Sequence, residues 1–197
     1  MTDPLLIDLP AELHTPRLLL RPPRAGDGAM LCQAVTDSLA ELRRFLASLP
    51  WVAAEPGVAA SEAWCRQAQA NFLSRKDLPF LLLDKADGGL RGVVGLHRPE
   101  WTTPKAEIGY WGHSGHAGQG CVSEGVLAVA ALAFEQLGLA RLDLITDEAN
   151  EPSRRLALRC GFGLEGVLRH ERRAPDGSLR NTCVYARHPK PFSGATA

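Results

Sequence analysis

The spacing of hydrophobic and polar positions changes near residue 76: helical periods dominate before it, and short apolar runs between turn residues dominate after it. Arg17-Leu-Leu-Leu-Arg21 reads as a first strand, stopped by Pro22-Pro23. After Gly28, the positions Met30, Leu31, Ala34 and Val35 predict a helix. Ser38-Leu-Ala-Glu41 has the form of a capping box, which predicts a second helix with Leu39, Leu42, Leu46 and Leu49 as its stripe and Pro50-Trp51 as its end. A third helix is predicted from about residue 61 to 75, with Trp64, Ala68 and Phe72 on one face.

Residues 78–84 and 92–97 flank Asp87-Gly88-Gly89 and predict a hairpin. Residues 106–111 read as another strand, followed by a glycine-rich turn and a long helix from about 120 to 137, closed by Gly138. A strand at 141–146 and a helix at 150–160 ended by Gly161 come next. Two last strands, about 162–171 and 180–187, are joined through Pro175-Asp-Gly177. Residues 1–15 read as a lead-in, and the order as a whole is that of a mixed α/β domain.

Composition narrows the class. A chain of 197 residues, 45% hydrophobic and 22% charged, is the size of one domain and excludes a disordered chain. Lys+Arg and Asp+Glu are both 22, so no basic field covers the surface and nucleic acid is not an expected partner. The balance hides an asymmetry: residues 1–150 carry 13 basic and 18 acidic side chains, and residues 151–197 carry 9 and 4. The basic end is suited to an anionic ligand. No basic segment followed by an apolar one opens the chain, and the longest apolar run, residues 126–134, is too short for a bilayer. Five scattered cysteines without a C-x-x-C pair predict free thiols, no metal site and a cytoplasmic protein.

Candidate chemistry begins at His113-Ser-Gly-His-Ala-Gly-Gln-Gly120, between a strand and a helix. Such a turn presents backbone N–H groups at a positive helix end, as a phosphate requires. It is neither a P-loop nor G-x-G-x-x-G, which disfavours a dinucleotide oxidoreductase.

Three segments around this turn carry a resemblance. Glu107-Ile-Gly-Tyr-Trp111, Gly118-Gln-Gly-Cys-Val-Ser-Glu124 and Asn150-Glu-Pro-Ser-Arg-Arg-Leu-Ala-Leu-Arg-Cys-Gly-Phe162 follow one another in the order seen in GNAT acyltransferases. The chain resembles the RimJ/RimL-like N-acetyltransferase branch, whose motifs read E-I-G-Y-W, R-G-x-G-Y-A-T-E-A and N-x-x-S-x-R-x-x-E-K-x-G-F-x-x-E-G. Arg17 to Arg21, Leu42-Arg-Arg-Phe-Leu and Pro50-Trp51 resemble its N-terminal half, and the motif-bearing region covers about residues 14–188 of a single domain, 1–197. Three positions depart: Ala117 and Val122 in the turn, and Ala157 where many members have tyrosine.

The resemblance implies an α/β (α+β) GNAT-like fold. Its central sheet is mixed and mostly antiparallel, with six to seven strands flanked by helices and a V-shaped splay between the fourth and fifth strands. It implies direct acyl transfer from an acyl-CoA, acetyl-CoA by default, to a primary amine: a protein N-terminus, a lysine or a small molecule. Tyr110, Trp111, Gly112, Ala117, Gly118, Gln119, Gly120, Cys121, Val122, Ser123, Asn150, Ser153 and Arg155 are the expected CoA-side residues. Arg154 and Arg159 compete with Arg155 for the nucleotide phosphates. Glu107 is the expected base, acting through water, and Ser153 the expected proton donor to the CoA sulfur. His97, His113 and His116 are alternative bases, and Phe45 and Trp51 are candidate substrate-side residues. A homodimer is implied as well. The alternative function is a CoA-binding sensor or structural homologue without turnover, which the three departures favour.

Overall fold

The computed structural model describes residues 3–189; residues 1–2 and 190–197, the extreme tails of the expected domain, lie outside the described residues. Eight strands form one sheet: β1 (Leu13–His14), β2 (Leu18–Arg21), β3 (Asp77–Asp84), β4 (Leu90–Glu100), β5 (Lys105–Gly112), β6 (Arg141–Asp147), β7 (Gly163–Arg173) and β8 (Leu179–Arg187). The helices are α1 (Gly28–Leu46), α2 (Pro50–Ala53), α3 (Val58–Leu73), α4 (Cys121–Glu135) and α5 (Glu151–Arg159). Strand order is β1-β2-β3-β4-β5-β6-β8-β7, antiparallel except for the parallel pair β5–β6.

The sheet is covered on both faces. Leu78, Phe80, Leu82, Val94, Leu96 and Ile108 face α4 and α5 in the larger core, with Val126, Val129, Ala133, Leu156 and Phe162. Leu81, Leu83 and Val93 face the other way, onto α1 and α3 through Leu31, Val35, Leu42 and Cys65. The two-residue period of β3 and β4 therefore feeds two cores, which is why these strands read as unbroken apolar runs. Among the described residues, no helix is long and apolar enough to cross a membrane.

Two connections pin α1. Arg21 of β2 makes a bidentate pair with Asp27, both contacts 2.7 Å, and Asp27 also accepts the Arg24 amide at 2.8 Å. Across α1, Gly28 abuts α3 so closely that a Cβ there would lie 2.6 Å from the Glu62 backbone. The Glu62 carboxylate in turn accepts the amides of Gly26 and Gly28.

The expected fold is present, with three corrections. The sheet has eight strands instead of six or seven, because two residues of the supposed lead-in, Leu13 and His14, pair with β2. The capping box at Ser38 does not start a helix: α1 runs unbroken from Gly28 to Leu46. Ser38 is buried, and its hydroxyl accepts the Ser114 amide at 2.9 Å, so the side chain that would cap a helix ties down a distant loop. Pro50 opens α2 at its first turn, where proline's missing N–H is not needed, instead of ending the preceding helix.

All five cysteines are buried and unpaired. Burial pushes the Cys65 thiol up to about 11, with Asp27 and Glu62 adding to the rise. That environment disfavours the nucleophilic thiolate.

Candidate functional site

β5 and β6 pair for only three residues, Lys105 with Arg141, Ala106 with Leu142 and Glu107 with Asp143. Beyond that point β5 remains on β4 and β6 remains on β8, so the two strands part. This is the expected splay, between the fifth and sixth strands instead of the fourth and fifth because β1 adds one to the count. Between them lies a cleft of about 290 Å³, floored by Ile108 to Gly112 of β5 and Leu144 to Thr146 of β6. Glu41, Leu42, Phe45 and Leu46 of α1 wall one end, and Asn150, Pro152, Ser153 and Leu156 of α5 wall the other.

The start of α5 has a local cause. The Asn150 side-chain carbonyl accepts the Ser153 amide at 3.2 Å, and Pro152 sits in the first turn. The cap aims Ser153 across the cleft at β5, where its hydroxyl lies 2.9 Å from the Tyr110 phenol. Tyr110 also donates to the Ser153 carbonyl at 3.2 Å. Burial pushes this phenol up to about 12, against the opposing effect of Ser153, so it stays protonated at neutral pH. Two hydroxyls thus form one hydrogen-bonded pair at the edge of the splay.

The glycine-rich turn lies at the start of α4. Gly118 and Gly120 have φ of +78° and +79°, a left-handed geometry that folds the chain back into the helix. The amides of Gly118, Gln119 and Gly120 donate to no acceptor among the described residues, nor do those of Cys121, Val122 and Ser123, which open α4 before its first intrahelical bond at Glu124. These groups converge at a helix N-terminus, which fits a pyrophosphate. The N-terminal strand region holds the turn in place. Arg17 donates to the Gln119 carbonyl at 2.7 Å and pairs with Glu124 at 2.7 Å, and Thr15 donates to Glu124 at 2.6 Å.

Not every expected residue reaches the cleft. Tyr110, Trp111, Gly112, Val122, Asn150, Ser153 and Phe45 line it. Ala117 closes a short 3-10 turn with its amide on Ser114, and the Cys121 side chain is in the core, so both offer backbone only. Ser123 is buried, with its hydroxyl accepting from Arg159 at 2.8 Å. Arg155 lies on the solvent face of α5, paired with Glu151 at 2.8 Å, and Arg154 is held by Tyr185 and the Glu148 carbonyl. Of the three arginines, Arg159 is therefore the one beside the start of α4. Trp51 stands behind the lining, its ring 6.2 Å from that of Trp111. Glu107 lies just below the cleft, at the last paired position of the splay, and Arg98 pairs with its carboxylate.

Glu41 is a wall residue that its place in the capping-box pattern Ser38-Leu-Ala-Glu41 conceals. Arg17 is concealed as well, since its partners lie more than a hundred positions away and leave no local signal. His113, a loop histidine in sequence, bonds Asp37 of α1 at 3.1 Å and lies beside His116, with ring centroids 5.0 Å apart and the planes tilted by 40°. Among the described residues, no three or more His, Cys, Asp or Glu side chains gather as a metal would require.

A splayed parallel pair beside a glycine turn can be compared with known proteins. The chain is 40% identical over 81 residues to the ribosomal-protein-serine acetyltransferase of Escherichia coli (strain K12), covering 41% of this chain and 45% of that protein. It spans about half the length of the first curated relatives it matches. In structure it is similar to the microcin C7 self-immunity acetyltransferase MccE in complex with acetyl-CoA and AMP, with a TM-score of 0.82, 22% identity and coverage of 92% and 98% of the two chains. The RimL ribosomal L7/L12 alpha-N-protein acetyltransferase in complex with coenzyme A gives a TM-score of 0.80 at 21% identity, covering 91% and 96%. The family model described as acetyltransferase (GNAT) domain matches residues 17–163, which hold the splay, the glycine turn and α5; the chain belongs to that family.

Proposed function

We propose that the protein transfers an acyl group, acetyl by default, from acetyl-CoA directly to a primary amine. The observation that carries this reading is the parting of β5 from β6 after Glu107, which leaves the backbone of Ile108 to Gly112 facing a cleft instead of a neighbouring strand. Such an edge has amides and carbonyls without strand partners, as an extended chain with amide groups of its own would need. The unpaired amides of the glycine turn, at the start of α4, are suited to the pyrophosphate. Arg159, beside the start of α4, adds positive charge there. When bound, acetyl-CoA supplies an activated carbonyl and a thiol leaving group.

The chain's own residues divide the remaining work. A backbone N–H near Tyr110 and Trp111 is proposed to donate to the carbonyl oxygen as negative charge develops on it. The Ser153 hydroxyl, positioned by the Tyr110 phenol, is proposed to turn its proton from that oxygen to the departing sulfur. Ala157 is buried in the core, so the tyrosine that many relatives carry there has no counterpart at that position; Tyr110 brings a phenol to Ser153 from β5 instead. Glu107 is proposed to take a proton from the incoming amine through water. α1 and Phe45 form the acceptor side, with Trp51 packed behind on Trp111. The relatives' names support a protein N-terminus as acceptor. A cytoplasmic homodimer completes the proposal.

The test is thiol release from acetyl-CoA across a panel of peptides with free N-termini, lysines and small amines. Turnover with at least one amine is expected, whereas acetyl-CoA binding without turnover on the whole panel would overturn the reading. Ser153→Ala should lower kcat about tenfold and leave acetyl-CoA affinity nearly unchanged. Equal kcat in the variant would return Ser153 to a structural part in the helix cap. Glu107→Gln should lower turnover about tenfold, most at low pH where the amine is protonated. A rate unchanged at every pH would remove Glu107 from the reaction.

A further inference from the structure

One pair on the acceptor face of the sheet is not used by this reaction scheme. His97 of β4 and Asp77 of β3 are register partners, and the imidazole Nδ1 lies 2.6 Å from the Asp77 carboxylate. A carboxylate only accepts, so this contact places the ring proton on Nδ1 and leaves Nε2 with a free lone pair. Nε2 has no hydrogen-bond partner among the described residues.

Two glycines make room for the ring. A Cβ at Gly95 of β4 would fall 3.0 and 3.1 Å from the imidazole Cε1 and Nε2, and a Cβ at Gly109 of β5 would fall 2.9 Å from Cδ2 and Nε2. The imidazole therefore lies across the bare backbone of both strands, with Nε2 over Gly109, which lines the cleft. By strand alternation, His97 shares this face with Val93, which packs toward α1, so it stands on the side that α1 closes. About a third of the side chain is exposed. The charged groups nearest it in the register are Asp77, Glu107 on β5 and Arg98, the last two paired with each other.

The reaction has a proton to dispose of. An ammonium and a thioester become an amide and a thiol: the N–C bond forms, the C–S bond breaks, and its electron pair goes to sulfur. Nitrogen gives up two protons, of which the thiol keeps the equivalent of one; the other leaves. We propose that His97 Nε2 takes this proton through water and releases it to solvent, with Asp77 as the positioning residue that fixes the tautomer and stabilises the imidazolium; the second proton, taken by Glu107, replaces the one Ser153 gives to sulfur. Glu107 is held by Arg98, while Nε2 is without a partner among the described residues and lies over Gly109 of the cleft floor. The proposal rests on the acyltransferase reading.

The experiment combines rates with an observable independent of turnover. In wild-type protein, long-range proton–nitrogen correlation of the His97 ring should show the Nδ1–H tautomer in the neutral form, and Asp77→Asn should weaken that preference. His97→Gln should lower kcat roughly a hundredfold at neutral pH. It should also remove the limb of the pH–rate profile that coincides with the His97 titration followed in the same spectra, while acetyl-CoA affinity stays within twofold. Asp77→Asn, which preserves the shape of the site, should lower kcat about tenfold and move that limb with the titration. A His97→Gln variant as active as wild type at all pH values overturns the proposal and leaves the acyltransferase reading intact. So does a neutral ring that carries its proton on Nε2. A wild-type protein that releases no thiol with any amine overturns both.

Discussion

Replacing Asp27 by alanine is expected to lower the unfolding free energy by about 3–5 kcal/mol, because it leaves the buried Arg21 charge without a counter-ion, with only the Pro22 carbonyl to accept from it. The side chains of Arg21 and Asp27 are only 11% and 9% exposed, and both guanidinium contacts measure 2.7 Å. The same carboxylate caps the Arg24 amide, so the turn from β2 into α1 loses its second anchor as well. Burial alone would raise the Asp27 carboxyl; Arg21 and the Arg24 amide outweigh it and hold the group below the usual carboxylate range. A depressed folded value means that the stabilisation is complete above the unfolded value, about pH 4, and is lost as pH falls through the folded one. Urea unfolding of wild type and Asp27→Ala at neutral pH should show the full difference, which should shrink in acid. A difference below about 1 kcal/mol at neutral pH would mean that Arg21 finds water or another acceptor once Asp27 is gone.

The second large effect is expected at Gly92, where β4 begins its contact with β5. A Cβ there would lie 2.4 Å from the Trp111 carbonyl oxygen and 3.0 Å from the Gly112 Cα, and the residue has φ of +153°. Both obstacles are backbone, so no side chain can swing aside. Gly92→Ala should therefore destabilise the fold by about 3 kcal/mol, at the upper end for overpacking. It should also weaken acetyl-CoA binding, since Trp111 and Gly112 floor the cleft and are what must shift. Thermal unfolding and calorimetric titration with acetyl-CoA measure the two effects separately. Lost stability with unchanged affinity would show that the strands part without disturbing the cleft floor.

Much of this architecture is legible in the sequence because its determinants are local. The apolar runs of β3 and β4, the alternation in β6, the Gly120 turn into α4 and the Asn150-Glu-Pro-Ser cap of α5 each depend on neighbours within a few residues. The splay follows from the same motifs through resemblance. What failed to show depends on partners far along the chain. Ser38 reads as a cap until Ser114, 76 residues later, takes its hydroxyl. Glu107 reads as an open strand carboxylate until Arg98, positioned by the irregularity between His97 and Glu100, reaches it. Arg155 and Arg159 are four residues apart and chemically identical, and only the packing of α5 against α4 separates the solvent-facing one from the one that meets Ser123. His97 looks like a lone histidine in sequence, and its partner Asp77 is set by the β3–β4 register.

The unbroken course of α1 has a consequence for how the two ends of the cleft communicate. One turn of this helix, at Asp37 and Ser38, grips His113 and Ser114 at the approach to the glycine turn. The next turn, at Glu41, Leu42 and Phe45, forms the cleft wall proposed as the acceptor side. One stiff helix thus contacts both the loop before the glycine turn and the wall of the cleft, and any coupling between the two would run through it. Linkage then works in both directions: whatever seating the donor does to the acceptor's affinity, seating the acceptor does to the donor's by the same factor.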